Sequence, residues 1–587
     1  LVFDLNFFSF YKLYYMKFFI KKSKLLCFFI ALFLINNNAL GKSSFEEYSK
    51  DTFSNYLSGL IYLKQNHTRT AFKHFKKVKP LKDIHTSYNT KFIHTHILLE
   101  KFDKARAFSA SVWKEDEILF EADLLLGLDY FIKKDYKNAK KHFERLKNVS
   151  PYDSSFGDLF GNILISWVEA SKNNKNKSLK LLEEIPYTFQ SLKLIQNSFL
   201  QCYFDTNQTR SDFKKIIENK NYNFARYNFF LTNYLLHKNE KVEAQKFIIK
   251  NNEINNSNLL TKQTKFFFLN KSDEKIKNIF NCQNPKDNIA EFFYIIANLY
   301  SSENDYQLSN FYLKISLFLN KKFTPNKTLL AENLYFQKKY EAAIEINDSL
   351  KSIGEVYSWY ASRRTAIILL KTKGEKKAIK SLKKEFDLIS NPGHQHYYEM
   401  GNFYRDNKYY TESIQYYSLA LNNLKEGHFL IPKILERRGI SYERLGDFDN
   451  AEKDLLESLK ISPNEAHVLN YLAYTWVEKG KNINKALKML EQAITLSNND
   501  GYIIDSLGWA HFMNKNYSDA EKYLQIALSI LPSDPTVSDH YADVLWMLNK
   551  NMQARYLWKQ ILNLEDATQE LKDKVSKKII FGINKEL

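Results

Sequence analysis

Residues 439–463 read GISYERLGDFDNAEKDLLESLKISP. Gly439 is followed by Tyr442, then by Ala451 twelve positions after the glycine, then by Leu455 and Pro463. Apolar residues within this stretch recur at three and four positions, the spacing of amphipathic helices. A small residue in the first helix lets the second pack closely, and the small residue in the second does the same in return. Pro463 stands where a helix must stop. The stretch therefore reads as one helical hairpin, which cannot bury its apolar face alone and needs stacked neighbours.

The neighbours are present. Gly59, Tyr62, Ala71 and Phe75 repeat the pattern, as do Gly127, Tyr130, Ala139 and Phe143. So do Gly401, Tyr404, Ser413, Tyr417 and Ala420, and Gly508, Ala520, Leu524, Ala527 and Pro532. The second small residue forms a ladder with steps near 34: Ala71, Ala105, Ala139, then Ser309, Ala343, Ala378, Ser413, Ala451, Ala486, Ala520 and Ala554. Between Ala139 and Ser309 the ladder blurs, with Ser178 and Ala244 as weak rungs. About thirteen repeats are expected, stacked as an all-α solenoid, a right-handed superhelix with a concave and a convex face. Only 16 Gly and 10 Pro in 587 residues suit helices. With 44% apolar and 15% aromatic residues the chain has ample material for cores.

The pattern resembles the tetratricopeptide repeat (TPR) family. Three runs sharpen the resemblance: NYLAYTWVEKG at 470–480, DGYIIDSLGWA at 500–510 and DHYADVLW at 539–546. With the N-terminal segment described below they look like the large exported TPR proteins of proteobacteria. Ala473 and Ala542 stand where that group would have Gly, a departure that helix propensity absorbs. The resemblance implies a hairpin array that binds other proteins. A co-chaperone type of lysine–asparagine clamp is not evident. The run ENLYFQ at 332–337 matches a common tag-cleavage site, but it lies in register between Ala331 and Ala343 and reads as native.

Chemistry has no motif to stand on. The sequence lacks H-E-x-x-H, a Walker loop, G-x-G-x-x-G, G-x-S-x-G and C-x-x-C. The reading is therefore no enzyme, no cofactor and no metal. His94 with His96, and His394 with His396, are two apart and point nearly opposite ways on a helix, so neither pair reaches one ion. An enzyme hidden in the blurred region is the remaining alternative, and degenerate repeats are preferred there.

The formal net charge is +19, unevenly spread. Residues 439–566 hold 12 Lys/Arg against 18 Asp/Glu, whereas 42–438 are as basic as the whole chain. No nucleic-acid module is recognisable, so nucleic acid is not the expected partner. The basic arm suits either a solvated surface or peripheral contact with an anionic envelope lipid or polysaccharide, the alternative function being envelope polysaccharide or lipid handling during export. The acidic arm offers the candidate site. If first helices line the concave groove, the inward positions are Asn470, Tyr474, Asp505, Trp509, Phe512, Asp539, Asp543 and Trp546. Carboxylates interleaved with Trp suit a basic or amphipathic peptide, through cation–π contact and ion pairing. The competing reading is that Trp509 and Trp546 pack between hairpins.

The resulting division is a mis-annotated leader (1–15), a signal peptide (16–41), repeats (42–195), a degenerate helical region (196–296), central repeats (297–438), acidic repeats (439–566) and a capping helix or tail (567–587). Met16 opens a basic stretch, Leu25–Ile35 is apolar, and Ala39-Leu40-Gly41 supplies small residues, the order of a secretory signal. Eleven apolar residues fall short of the roughly 20 that span a bilayer; an uncleaved anchor is the alternative. The chain is thus read as exported and periplasmic, soluble or attached to the envelope. Cys202 and Cys282 are read as buried thiols acting as small apolar residues, with a disulfide as the alternative that an oxidising compartment allows.

Overall fold

The computed structural model describes residues 49–148, 154–219, 225–250 and 258–583. The expected leader and signal lie outside the described residues. The described residues form 31 α-helices, two short 3-10 turns and no strand. The helices pair into fifteen hairpins followed by one terminal helix, Gln569–Phe581. The all-α hairpin array expected from the ladder is what the chain adopts, with fifteen hairpins among the described residues where about thirteen were expected, because hairpins without a clear small-residue rung were not counted. By internal contacts it divides into two compact units, Leu1–Leu382 and Lys383–Leu587.

The hairpins that carry the first-helix glycine are built as the 439–463 stretch implies. The glycine of the first helix lies under a large side chain sixteen residues on. A Cβ at Gly59 would meet the Phe75 ring at 2.5 Å, at Gly127 the Phe143 ring at 2.4 Å, and at Gly508 the Leu524 side chain at 2.6 Å. The rungs Ala71, Ala105, Ala139, Ser309, Ala343, Ser413, Ala486, Ala520 and Ala554 have no exposed surface, and neither do the weak rungs Ser178 and Ala244.

A second ladder marks the turns. One residue after most first helices has positive φ: Asn66, Glu100, Lys134, Asn173, Asp205, Asn239, Lys271, Asn304, Lys338, Lys408, Lys515 and Asn549 among them. At the first of these, Asn66 N donates to Leu63 O at 2.9 Å and His67 N to Tyr62 O at 2.7 Å. This is the paired hydrogen bonding of a Schellman stop, which satisfies the last carbonyls of the helix. The ladder runs unbroken through the region where the small residues blur. There the chain forms Gln190–Tyr203 with Thr209–Ile217, Tyr227–His237 with Lys241–Lys250, and Leu259–Leu269 with the short Asp273–Lys277. No strand or separate compact module stands there among the described residues.

The first unit departs from an open spiral. The His94 ring stacks on Phe311 at 4.2 Å and Phe102 on Phe318 at 4.3 Å. Phe160 packs on Phe292 at 5.1 Å and Tyr312 at 5.8 Å. Lys314 pairs with Glu100, and Gln337 Nε2 donates to Asn66 Oδ1 at 3.0 Å. Residues of the first four hairpins thus meet residues more than a hundred positions later in the same unit. Two 18-residue helices, Ser154–Ser171 and Pro285–Ser302, fill its interior. Phe160, Ile163, Leu164, Trp167 and Val168 of the first, and Ile289, Phe292 and Phe293 of the second, are wholly buried. The inner face of this part of the array is occupied by its own chain, because these two helices are apolar on most of their circumference.

Buried charges inside the unit are matched. Glu291 accepts from Arg226 Nη1 at 2.6 Å and from Tyr227 Oη at 3.2 Å. Asp123 accepts from Trp113 Nε1 at 2.8 Å, His142 Nδ1 at 2.8 Å and Arg145 Nε at 2.9 Å. The two histidines of the 94/96 pair diverge as their spacing requires. His94 Nε2 lies 3.0 Å from Glu121 Oε1, and His96 sits against Phe72 and Phe92.

One sequence expectation is overturned here. Cys202 and Cys282 are bonded, with Cα atoms 5.9 Å apart. Cys202 is the penultimate residue of the helix Gln190–Tyr203, and Cys282 lies just before Pro285–Ser302. Eighty residues of separation gave the sequence no means of showing that the intervening hairpins return the chain to its starting point.

Candidate functional site

In the second unit first helices of neighbouring hairpins touch directly. Ala466–Glu478 packs on Gly501–Met513, which packs on Pro535–Met547. These helices form one wall, and the eight sequence-derived positions all lie on them.

The structure sorts those positions into two groups. The first is an aromatic shelf. Trp509 stacks on Phe512 at 4.6 Å and on His540 at 4.0 Å, with nearly parallel planes. Its Nε1 donates to Glu478 Oε1 at 2.6 Å. Asp505 lies beneath, 3.1 Å from His540 Nδ1. Burial alone would push the His540 imidazole down, but Asp505, with Asp539 and Asp543 nearby, carries it above its usual value. Tyr474 joins this group electrostatically. Burial first, then Glu478 and Asp505, push its hydroxyl well up. Tyr474, Trp509 and Phe512 are half-buried and keep surface in solvent. Asn470 is half-buried too, and its Oδ1 has no hydrogen-bond partner.

The second group is an occupied seat. Asp539 and Asp543 lie one turn apart on Pro535–Met547, which aims both carboxylates at the same point. Lys578 of the terminal helix fills that point, with Nζ 2.7 Å from Asp539 Oδ1 and 2.6 and 2.7 Å from the two oxygens of Asp543. Lys574, one turn earlier, approaches Asp539 at 3.7 Å. Trp558 Nε1 donates to Asp543 at 3.2 Å. Burial, then the Asp539 charge, raise the Asp543 carboxyl to about 6 against the pull of Lys578. Trp546 is buried, with its ring against Trp558 at 5.5 Å and its Nε1 on Ile583 O at 3.2 Å. Gly582 permits that closeness, since a Cβ there would fall 1.9 Å from the Trp546 ring and φ is +74°.

Asp505, Trp509 and Phe512 are therefore brought together in one cluster and Asp539, Asp543 and Trp546 in another. His540 lies between them. Trp546 and the two aspartates are covered by the chain itself, while Trp509 keeps an open edge. Sequence reasoning missed His540, Glu478, Trp558 and Lys578. The signal for Lys578 was present: Lys574 and Lys578 repeat on the tail the four-residue spacing of Asp539 and Asp543. Among the described residues no group of three or more His, Cys, Asp or Glu is placed to hold a metal.

Residues 367–567 match the tetratricopeptide repeat family. A TPR repeat-containing protein of Pseudomonas aeruginosa is 32% identical over 110 residues, 19% of this chain and 18% of that protein. The match thus spans less than a fifth of that relative's length. Among solved structures, a tetratricopeptide repeat protein from Parabacteroides merdae is similar at 20% identity and a TM-score of 0.32, over 37% of this chain and 86% of that one. MamA from Desulfovibrio magneticus is similar at 18% identity and a TM-score of 0.27, over 31% of this chain and 99% of that one. A chain of the Cut9–Hcn1 hetero-tetramer is similar at 15% identity and a TM-score of 0.32, over 79% and 96%. Likeness at this level says nothing about partners. The tetratricopeptide repeat match thus covers residues 367–567, about a third of the chain, and the hairpins before it are built on the same helix-pair plan.

Proposed function

We propose that this protein is an exported, non-catalytic scaffold of the bacterial cell envelope whose acidic repeats hold a basic or amphipathic peptide of another protein. Tetratricopeptide repeats as a class mediate protein–protein interaction, and the finer statement rests on the wall described above. The observation that carries it is the open shelf of Trp509 and Phe512 beside Glu478, Asp505 and His540. The exposed Glu478 carboxylate and the solvent-facing edges of Trp509 and Phe512, held on a preformed wall, attract Lys and Arg side chains without the wall having to order itself first. Export is supported by the signal-like order of residues 16–41 and by the Cys202–Cys282 bond, which persists in oxidising compartments.

The test is affinity capture from envelope extract with the chain lacking residues 1–41, wild type against Glu478→Lys/Trp509→Ala. Truncating a central interface Trp typically removes about 2 kcal/mol or more of binding, so recovery of the captured protein should fall about thirtyfold in affinity. Equal recovery by a folded double variant overturns the reading.

A further inference from the structure

The terminal helix is held unusually. Of its thirteen residues only Val575 and Lys578 are buried. Leu571, Ile579 and the following Ile583 are partly covered. At its end Ile580 is 67% exposed and Phe581 81% exposed. Its deepest group is an ammonium between two carboxylates, whose removal from water is offset only while both partners stay in place. The interface thus joins this charge lock to an apolar contact made by Val575 with Leu571, Ile579 and Ile583. The 439–566 repeats are net acidic, and the tail, with Lys572, Lys574, Lys577 and Lys578, is net basic. Its sequence chemistry, a basic amphipathic helix, is the chemistry the neighbouring shelf suits.

We infer that the helix Gln569–Phe581 is a displaceable internal ligand, and that the partner's basic helix enters by putting its own lysine between Asp539 and Asp543 in place of Lys578. This rests on the reading of the acidic wall as the binding surface and adds how that wall is gated. The exchange leaves the charge balance of the seat unchanged: one ammonium leaves and another arrives, with Trp558 still on Asp543 and His540 still on Asp505. The incoming helix then continues over His540 onto Trp509 and Phe512, surface the terminal helix leaves free. A short connection, residues 562–568, tethers the internal helix, so it competes at the high effective concentration of a short linker. A partner that reaches both seat and shelf overcomes that advantage; a peptide that copies the tail alone does not.

The test uses full-length protein and a labelled synthetic peptide of residues 568–583, read by fluorescence anisotropy. Wild type, whose seat is filled, should bind it weakly. Lys578→Glu, which places a third carboxylate in the seat and ejects the internal helix, should bind the wild-type peptide at least tenfold more tightly. Adding Asp539→Lys to that variant should remove the gain. Equal binding to wild type and Lys578→Glu, or none to a folded Lys578→Glu, overturns the inference.

Hydrogen exchange on unmodified wild type decides the matter even if the variant fails to fold. Amides of 569–581 should exchange at least a hundredfold faster than those of 535–547. Equal rates would make the helix a permanent cap and end the inference. Envelope capture that still depended on Trp509 after that result would leave the scaffold reading standing, so the two fail separately.

Discussion

Replacing Cys202 and Cys282 together by Ser is expected to destabilise the first unit by about 4.5 kcal/mol, the chain-entropy value for a closed loop of roughly 80 residues. Both residues are buried, so the two new hydroxyls add a desolvation cost in the native state on top of this chain-entropy loss. This loss arises in the unfolded chain, which gains the freedom of a loop carrying five helices. The effect should stay local to the first unit. Hydrogen exchange with urea should show amides of Gln190–Tyr203 and Pro285–Ser302 losing protection while those of Gly501–Met513 keep theirs. A change below about 1 kcal/mol would mean that the unfolded chain already holds these ends together. Wild type treated with reductant should reproduce the variant.

Acid should unfold the same unit through His96. Burial, then Lys101, Lys104 and Lys79, push its imidazole down to about 4. The unfolded chain takes up the proton near pH 6.5 and the folded chain resists it until about pH 4. The contribution is fully present above pH 6.5 and is lost as pH falls through that window, about 3 kcal/mol by pH 4. Asp287 acts in the opposite sense, because burial raises its carboxyl to about 6 and acid then favours the fold. The informative quantity is therefore the difference between wild type and His96→Leu. The variant should lose about 3 kcal/mol less than wild type between pH 7 and pH 4, by urea unfolding monitored in the first unit. The same slope in both would place the acid sensitivity elsewhere.

Much of this architecture was legible because it repeats. A close approach between two helices needs a small residue at one place in each hairpin, so Ala71, Ala105 and Ala139 spelled out the period. Where Ser178 and Ala244 alone marked the rungs, the register was carried by the turns instead. Asn173, Asp205, Asn239 and Asn304 hold left-handed backbone, which Asn and Asp tolerate best after Gly. Asn or Asp at four of the five turns from 173 to 304, spaced near 33 with Lys271 as the exception, was available in the sequence as the second signal.

What did not repeat stayed hidden. The closure of the first unit depends on His94, Phe102 and Phe160 meeting Phe311, Phe318 and Phe292, and each of these reads as an ordinary apolar position within its own hairpin. The disulfide was hidden for the same reason. At the candidate site the acidic and aromatic residues could be placed on one wall from their spacing. That the chain's own tail covers Asp539, Asp543 and Trp546 was signalled only by the matching four-residue spacing of Lys574 and Lys578, which taken alone reads as a solvated face. Trp509 and Trp546 illustrate the split: the former keeps an open edge, and the latter packs under Gly582 and Ile583.

The proposed role seats another protein's basic helix on the wall that carries Trp509. A photoreactive substitution, Trp509→benzoylphenylalanine in the full chain, tests it in intact envelopes, with the same probe at exposed Gln525 as control. Crosslinks are expected from position 509 to a Lys/Arg-rich helical segment of another envelope protein, and few from 525. Equal yields from the two positions, or none from 509, would contradict it.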